Sequence, residues 1–136
     1  MPVRVFWGGA EIPGPCSVGP LRRETSLLEL REGGAPWLVR RSPELTRCLP
    51  LTIERDLGAD RSFDAWAALV APFPIGPTPE PVAFRKEVRL EYGAGCAAHV
   101  FRLASAWPVA YEVVDGEGAM RERLTLVCDG FERLAE

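Results

Sequence analysis

The sequence predicts a mostly β protein, an antiparallel β-barrel or sandwich that carries one short α-helix. Residues 49–54 alternate between apolar and polar side chains, which is typical of a half-buried strand. Residues 87–92 repeat this period of two. Between the two runs, the apolar residues change to helical spacing within residues 63–70. A helical segment flanked by strands of this kind defines the predicted class.

The composition indicates one globular domain that covers residues 1–136. The chain has 26% charged and 47% hydrophobic residues, an ordinary balance for a folded protein rather than a disordered one. A length of 136 residues is enough to bury one core. The 13 prolines and 13 glycines favour strands and loops over a helical bundle.

Short strands are predicted in the region before the helix. Gly33 and Gly34 predict a turn, and Ser42 with Pro43 predicts a break in the extended structure. The predicted strands of this region are residues 3–7, 18–23, 26–31, 37–40 and 49–54.

The helix is predicted from four apolar residues that share one face. These are Phe63, Trp66, Ala67 and Val70. Asp60 or Ser62 can accept a hydrogen bond from a free backbone N–H at the helix start, and Pro72 ends the helix. Phe63 and Trp66 are the large residues of this face, so we expect them to dock the helix against the sheet.

The second half of the chain predicts a crossing followed by further strands. Residues 71–81 contain five prolines, which predict an extended, semi-rigid crossing rather than a domain boundary. Residues 93–95 predict a hairpin turn. The expected strands are residues 87–92, 100–103, 109–114 and 120–128. Trp107 precedes Pro108 and is therefore biased to extended geometry. We expect these two residues to anchor a corner between two strands.

Charged residues occupy alternate positions at the start of the second half. They are Arg85, Glu87, Arg89 and Glu91. One interpretation is a water-facing side of a sheet with cross-strand ion pairs. The other is a wall of a wide aqueous channel. The pattern in one chain does not distinguish the two.

The sequence contains no pattern that predicts catalysis. His99 is the only histidine, and it lies next to alanines without a nucleophile elbow in the chain. The four cysteines form no closely spaced pair, so we expect buried free thiols, no metal and no cofactor. They are Cys16, Cys48, Cys96 and Cys128. The chemistry therefore favours a protein that is not an enzyme.

The charge and hydropathy exclude two classes of partner. A net charge of −3 gives no reason to expect specific nucleic-acid binding. No run approaches the roughly 20 apolar residues of a membrane span, so we expect no membrane insertion. The N-terminus is too mixed for a secretory signal, which predicts that the chain matures in the cytoplasm.

The order of motifs resembles the tail-tube family of contractile-tailed phages and related contractile injection systems, whose fold is similar to that of the type VI secretion tube protein. The resemblance covers nearly the whole chain. Its most specific part is a strand, linker and helix followed by Ala-Trp-Pro. The motifs are Val5-Phe6, Val18-Gly19-Pro20-Leu21, Glu24, Arg31-Glu32-Gly33-Gly34, Leu51-Thr52-Ile53-Glu54-Arg55, Phe63 with Trp66, Ala106-Trp107-Pro108 with Tyr111, and residues 122–126 before Asp129-Gly130-Phe131.

The resemblance implies a six-subunit ring that stacks into a hollow tube inside a contractile sheath. The partners it implies are further copies of the chain, the sheath protein, baseplate proteins and a cargo effector in the lumen. Residues 33–49 would be an extended loop that reaches a neighbouring subunit or a neighbouring ring. The residues assigned to this loop are Gly33, Gly34, Trp37, Arg40 and Arg41. After assembly, the chain would be part of a phage-tail-like particle.

Two features depart from the tail-tube pattern, and they leave alternatives open. The crossing at residues 71–81 replaces a longer helix, and a proline-broken segment follows Gly34. Both features suit a specialised ring of the same fold, such as a baseplate-proximal tube initiator or a tube-end adaptor. A small β-barrel that binds or hydrolyses a ligand is the alternative from another class.

Overall fold

A computed structural model describes residues 3–14, 16–70, 84–93 and 98–134, without the side chains of residues 31–32 and 35–38. The strands are β1 Val3–Trp7, β2 Ala10–Glu11, β3 Ser17–Val18, β4 Arg23–Glu32, β5 Ala35–Cys48, β6 Leu51–Asp56, β7 Lys86–Tyr92, β8 His99–Gly116, β9 Ala119–Val127 and β10 Gly130–Arg133; helix α1 is Ser62–Val70. The predicted proline crossing lies outside the described residues, as do Ala94 and Gly95 of the predicted turn.

The main sheet is antiparallel and closes on itself. Its strands follow the order β2-β1-β7-β8-β9-β6-β3, and β10 also pairs with β8. Cys16, next to β3, forms an antiparallel bridge with Val3 of β1, so the two ends of the sheet meet. The predicted class of a mostly β, antiparallel fold with one short helix is confirmed.

Strand β8 is a single long strand, and this corrects the prediction of two separate strands at residues 100–103 and 109–114. Residues 99–106 pair with β7, and residues 107–116 pair with β9. The strand bends where it changes partner, because Ser105 has a φ of 51° and the register shifts between Pro108 and Ala110. Pairing continues through Trp107, opposite Val127, so Trp107 and Pro108 lie inside a continuous strand.

The core is formed by alternate residues of the barrel strands and by one face of α1. Val88 and Leu90 on β7 are fully buried, whereas Glu87 and Arg89, which alternate with them, are exposed. The same period of two places Leu51 and Ile53 inside. Further fully or almost fully buried residues are Val5, Phe63, Trp66, Leu103, Ala106, Leu124 and Leu126.

Helix α1 begins as the sequence predicts. The Asp60 carboxylate accepts a hydrogen bond from the backbone N–H of Ser62 at 3.0 Å, so Asp60 rather than Ser62 provides the cap. The hydrogen bond from the Ser62 side chain is the main cause of the lowered pKa of Asp60, and this backbone hydrogen bond lowers the pKa further. Phe63 and Trp66 face the barrel from the first two turns.

Strands β4 and β5 form a separate two-stranded sheet, which we call the arm. Residues 33–49 are therefore not an extended loop, because only Gly33 and Gly34 form a turn and β5 starts at Ala35. The predicted break at Pro43 is also wrong. Pro43 pairs with Leu27 beside a register shift, and a bulged two-stranded ribbon tolerates a residue that lacks an N–H.

Candidate assembly surfaces

The arm exposes large apolar side chains. Its ten-residue strand β4 spans roughly 30 Å at the usual rise per residue. The exposed fractions are 61% for Leu27, 44% for Leu28, 52% for Leu30 and 63% for Leu45. A cluster of exposed leucines of this kind is typical of an interaction surface rather than of scattered surface residues.

Both faces and both edges of the arm lack cover within the described part of the chain. Leu28 and Leu30 share one face, and Leu27 lies on the opposite face with Glu29. Neither β4 nor β5 pairs with a strand of the barrel in the described ranges. Unpaired N–H and C=O groups along such strands are available to another chain. An isolated two-stranded ribbon is also marginally stable in water, so a partner would stabilise the arm.

The base of the arm is fixed to the barrel. Arg23, the first residue of β4, donates a hydrogen bond to the Phe131 carbonyl at 3.4 Å. Its guanidinium also lies 5.1 Å from the centre of the Phe131 ring. On the other strand, the Leu49 N–H donates to the Arg22 carbonyl at 2.9 Å. These contacts set the direction in which the arm leaves the barrel.

A mainly apolar groove of about 570 Å³ lies beside this base. One wall is the segment that runs from Val18 to Leu21, which enters the arm. Tyr92, Phe101 and Phe131 contribute aromatic rings from the barrel. The Tyr92 and Phe101 rings meet edge to face, with their centres 5.8 Å apart. The groove and the arm thus place apolar surface at the same end of the molecule.

Three of the four charged residues predicted as a common face lie on the outer side of β7. Glu87, Arg89 and Glu91 point away from the core because they alternate with buried residues. Arg85 precedes the strand, and its guanidinium lies 5.5 Å from the centre of the Phe84 ring.

Residues of neighbouring strands extend this charged face with alternating sign. Arg4 of β1 lies 3.9 Å from Glu91, and Arg102 of β8 lies 3.9 Å from Glu87. Arg102 also pairs with Glu132 of β10. Ion pairs this exposed contribute little to stability. Their effect is a strongly hydrated face without a dominant sign of charge.

The other half of the barrel has a similar outer face. Arg121 and Arg123 of β9 contact the two oxygens of the Glu54 carboxylate at 2.7 Å and 3.2 Å. Arg121 also lies 2.7 Å from Asp56. The hydrogen bond from Arg121, followed by that from Arg123, lowers the pKa of Glu54. Charged residues therefore cover the outer side of both halves of the barrel.

A buried ion pair lies inside the barrel, and the sequence analysis missed it. Arg55 is 3% exposed and Glu122 is 1% exposed, and Arg55 Nε lies 2.6 Å from Glu122 Oε1. Tyr111 donates its hydroxyl to the other carboxylate oxygen at 2.6 Å. Burial, followed by the hydrogen bond to Glu122, raises the pKa of Tyr111 to about 12.

The same arginine connects the barrel to the start of the helix. Arg55 donates to the carbonyl of Pro13 at 2.8 Å and to that of Asp60 at 3.1 Å. Its guanidinium lies 4.1 Å from the centre of the Phe63 ring. The burial of Arg55 could have been predicted from the alternation of this strand, because a period of two from Leu51 places Arg55 on the buried face.

The predicted docking residues of the helix lie in the core. The Trp7 ring centre is 5.6 Å from that of Phe63 and 4.7 Å from that of Trp66. Trp66 Nε1 also donates to the Phe84 carbonyl at 2.6 Å. The Trp107 ring meets the edge of Phe84, and Pro108 is buried. The docking role of Phe63 and Trp66 and the corner-fixing role of Trp107 and Pro108 stay predictions.

The residues assigned to the predicted loop lie along the arm. Gly33 and Gly34 form its turn, and Trp37, Arg40 and Arg41 belong to β5. The Arg41 guanidinium lies 3.2 Å from Glu29 on the opposite strand. The side chain of Trp37 is outside the described part of the structure.

The described residues show no group that could hold a metal ion. His99 is exposed, and its Nδ1 lies 3.0 Å from an Arg133 guanidinium nitrogen. None of the helices in the described ranges is long and apolar enough to cross a membrane.

The closed barrel, the single helix and the long arm together form a tail-tube fold. No known family profile matches the sequence, and no curated protein matches it. Solved structures do match. A chain of the PVC sheath-tube complex, from an extracellular contractile injection system in its extended state, aligns with a TM-score of 0.76 and 14% identity, over 99% of this chain and 89% of that one.

Two further solved structures show the same fold. A chain of the anti-feeding prophage baseplate aligns with a TM-score of 0.73 and 15% identity, over 98% of this chain and 91% of that one. Hcp1 from Flavobacterium johnsoniae aligns with a TM-score of 0.56 and 13% identity, over 98% of this chain and 94% of that one. The resemblance predicted from motif order is confirmed as a shared fold.

Proposed function

We propose that this chain is a structural subunit that forms six-membered rings of the inner tube of a phage-like contractile injection system. The observation that carries the proposal is the arm, in a chain of this fold. The arm exposes leucines on both faces, and its edges are unpaired within the described residues. A second copy of the chain is the partner that removes both features at once.

A closed ring gives every arm the same partner. In a cyclic assembly, each copy offers its arm to one neighbour and receives the arm of the other, so no apolar surface or strand edge remains open. The arm is anchored at its base by Arg23, so it projects from the barrel in a defined direction. The apolar groove beside the base lies where a neighbouring copy could contact both surfaces together.

The charged outer face of β1, β7, β8 and β10 would line the lumen. A wall of alternating charges stays hydrated and does not bind cargo of one sign tightly. Arg89 and Arg102 are 53% and 43% exposed, which suits side chains that face a water-filled channel. A cargo effector would travel in this channel. The function is mechanical and needs no catalytic residue, because the sheath drives the rigid tube through a target envelope.

The proposed partners follow from the assemblies in which this fold occurs. The solved structures include a sheath-tube complex and a baseplate, so we propose sheath and baseplate proteins as partners of the stacked rings. Assembly would take place in the bacterial cytoplasm, and the ring would then become part of a phage-tail-like particle.

A ring at one end of the tube is the second candidate function. Matching chains come from a baseplate and from a tube-terminating cap as well as from a sheath-tube complex, with TM-scores of 0.73, 0.76 and 0.76. A tube initiator or tube-end adaptor would form the same ring but would stop after one or a few layers. Purified rings that never stack would favour this second function.

The arm provides the test of self-assembly. In the Leu28→Lys/Leu30→Lys variant, two exposed leucines on one face become charged. Burial of each leucine contributes about 1.5–3 kcal/mol, so the variant should weaken each contact by at least about a hundredfold. Light scattering coupled to size-exclusion chromatography should then give the mass of a single chain.

The matched control is the Leu28→Met/Leu30→Met variant, which keeps both side chains apolar. It should assemble like the unchanged chain, and thermal unfolding should show that both variants fold. If the lysine variant forms rings as readily as the methionine variant, this face of the arm is not the contact between copies.

A further inference from the structure

Two cysteines lie next to each other where the arm joins the barrel. Cys48 is the last residue of β5 and pairs with Arg23 of β4. Cys128 lies in the short connection between β9 and β10. Both side chains are partly exposed, and strand β5 contacts β10, which begins at Gly130 just after Cys128. The Cys48 thiol lies close enough to Cys128 to raise the pKa of the Cys128 thiol.

The backbone around the two thiols is held in place from both sides. The Asp129 N–H donates to the Ala104 carbonyl at 3.0 Å, which fixes the connection that contains Cys128 to β8. On the arm, the contact of Arg23 with Phe131 holds the strand opposite Cys48 against β10. These contacts hold the backbone on both sides of the two thiols.

We propose that Cys48 and Cys128 form a reversible disulfide that joins the arm to the barrel. In the reduced chain, noncovalent contacts such as that of Arg23 with Phe131 hold the base of the arm. In the oxidised chain, a covalent bond between residues far apart in sequence would restrict its movement and would stabilise the fold by constraining the unfolded chain. The bond needs no second copy, so it can form whether or not the chain builds a ring.

The reaction is a thiol–disulfide exchange with a low-molecular-weight disulfide. One cysteine thiolate attacks that disulfide, forms a mixed disulfide and releases one small thiol. The second cysteine then attacks the protein sulfur of the mixed disulfide and releases the second small thiol. Two electrons and two protons pass from the protein to the small molecule in total.

The surroundings of Cys128 affect the rate of this exchange. Burial, and then the neighbouring Cys48, raise the pKa of Cys128 to about 11. Cys128 is therefore almost entirely protonated at neutral pH, and its attack should become faster as the pH rises towards that value. A cytoplasmic reducing pool would keep the pair as thiols, whereas an extracellular particle would meet oxidising conditions.

Alkylation and peptide mapping of the purified full chain test the proposal. The chain is incubated in oxidised and reduced glutathione at pH 8 and is then denatured, so that buried thiols such as Cys16 also react. Free thiols are blocked with iodoacetamide, and the peptides are identified by mass spectrometry without reduction. We expect two of the four thiols to resist alkylation and one cross-linked pair of peptides to contain Cys48 and Cys128. Reduction should restore all four thiols.

Two matched variants separate the proposed pair from the other cysteines. The Cys48→Ser variant should lose the cross-link and the rise in midpoint temperature on oxidation, whereas Cys96→Ser should keep both. Four alkylated thiols in the oxidised chain, or a cross-link that involves Cys16 or Cys96 instead, would overturn the proposal. Neither result depends on ring formation.

Discussion

The stability of the barrel depends strongly on individual hydrogen bonds at the buried Arg55–Glu122 pair. Both groups are almost completely buried, and the carboxylate is fully occupied by Arg55 and Tyr111. An unpaired buried charge costs much more than a buried pair, because its lost hydration is not replaced. Each member of the pair therefore depends on the other.

The first prediction concerns removal of one partner. Arg55→Met leaves the Glu122 carboxylate buried without its cation and should lower the free energy of unfolding by about 3–5 kcal/mol. Arg123→Met is the matched control, because Arg123 pairs with Glu54 at a partly exposed site and should cost less than about 1 kcal/mol. Urea denaturation measures both, and equal losses would contradict a special role of the buried pair.

The second prediction concerns Tyr111 and pH. The pKa of Tyr111 is raised in the fold from 10 to about 12, so the neutral phenol is favoured in the folded state. Its contribution to stability should be complete below pH 10 and should be lost between pH 10 and 12. Urea denaturation at several pH values gives the free energy of unfolding of the unchanged chain and of Tyr111→Phe. The two free energies should approach each other between pH 10 and 12. A difference that stays constant up to pH 12 would exclude the effect.

The arm shows why an element can be missed when it lacks a buried side. Strand prediction depends on alternation, and alternation arises when one face is buried. The arm has leucines on both faces, and most of its described side chains are exposed, so residues 33–49 had no clear period. Pro43 added a strong signal for a break, although a bulge next to it lets the strand continue.

The helix and strand β7 were predictable for the opposite reason. Phe63 and Trp66 repeat at helical spacing because one face of α1 is buried against Trp7. Val88 and Leu90 repeat at a period of two because β7 is buried on one side. Bends inside a strand have no such signal, and the single strand β8 was therefore divided in two.

The third prediction distinguishes a lumen from a contact surface on the charged face. Arg89→Glu combined with Arg102→Glu replaces two positive charges on this face of each subunit with two negative charges. If the face lines a water-filled channel, rings should still form, because hydrated side chains tolerate a change of sign. If it lies between subunits or rings, like charges should prevent assembly. Light scattering gives the mass of the assembly that the variant forms. The Leu28→Lys/Leu30→Lys variant is the reference for a chain that has lost assembly.

For the molecule as a whole, the class of fold was readable from the sequence but its closure was not. Mostly antiparallel strands with one helix followed from periodicity, and the shared tail-tube fold confirms the resemblance in motif order. Closure depends on the bridge between Val3 and Cys16, which two short segments form without any local pattern. Buried Arg55 and Glu122 were missed because charged residues are expected on the outside.

Negative-stain electron microscopy of the purified full chain tests the central claim most directly. We expect ring-shaped particles with a central hole and about six subunits, and short stacked tubes at high protein concentration. Single rings at every concentration would support the proposed ring and would favour a subunit at one end of the tube. A uniformly monomeric sample, unchanged when sheath and baseplate proteins are co-expressed with the chain, would contradict the account.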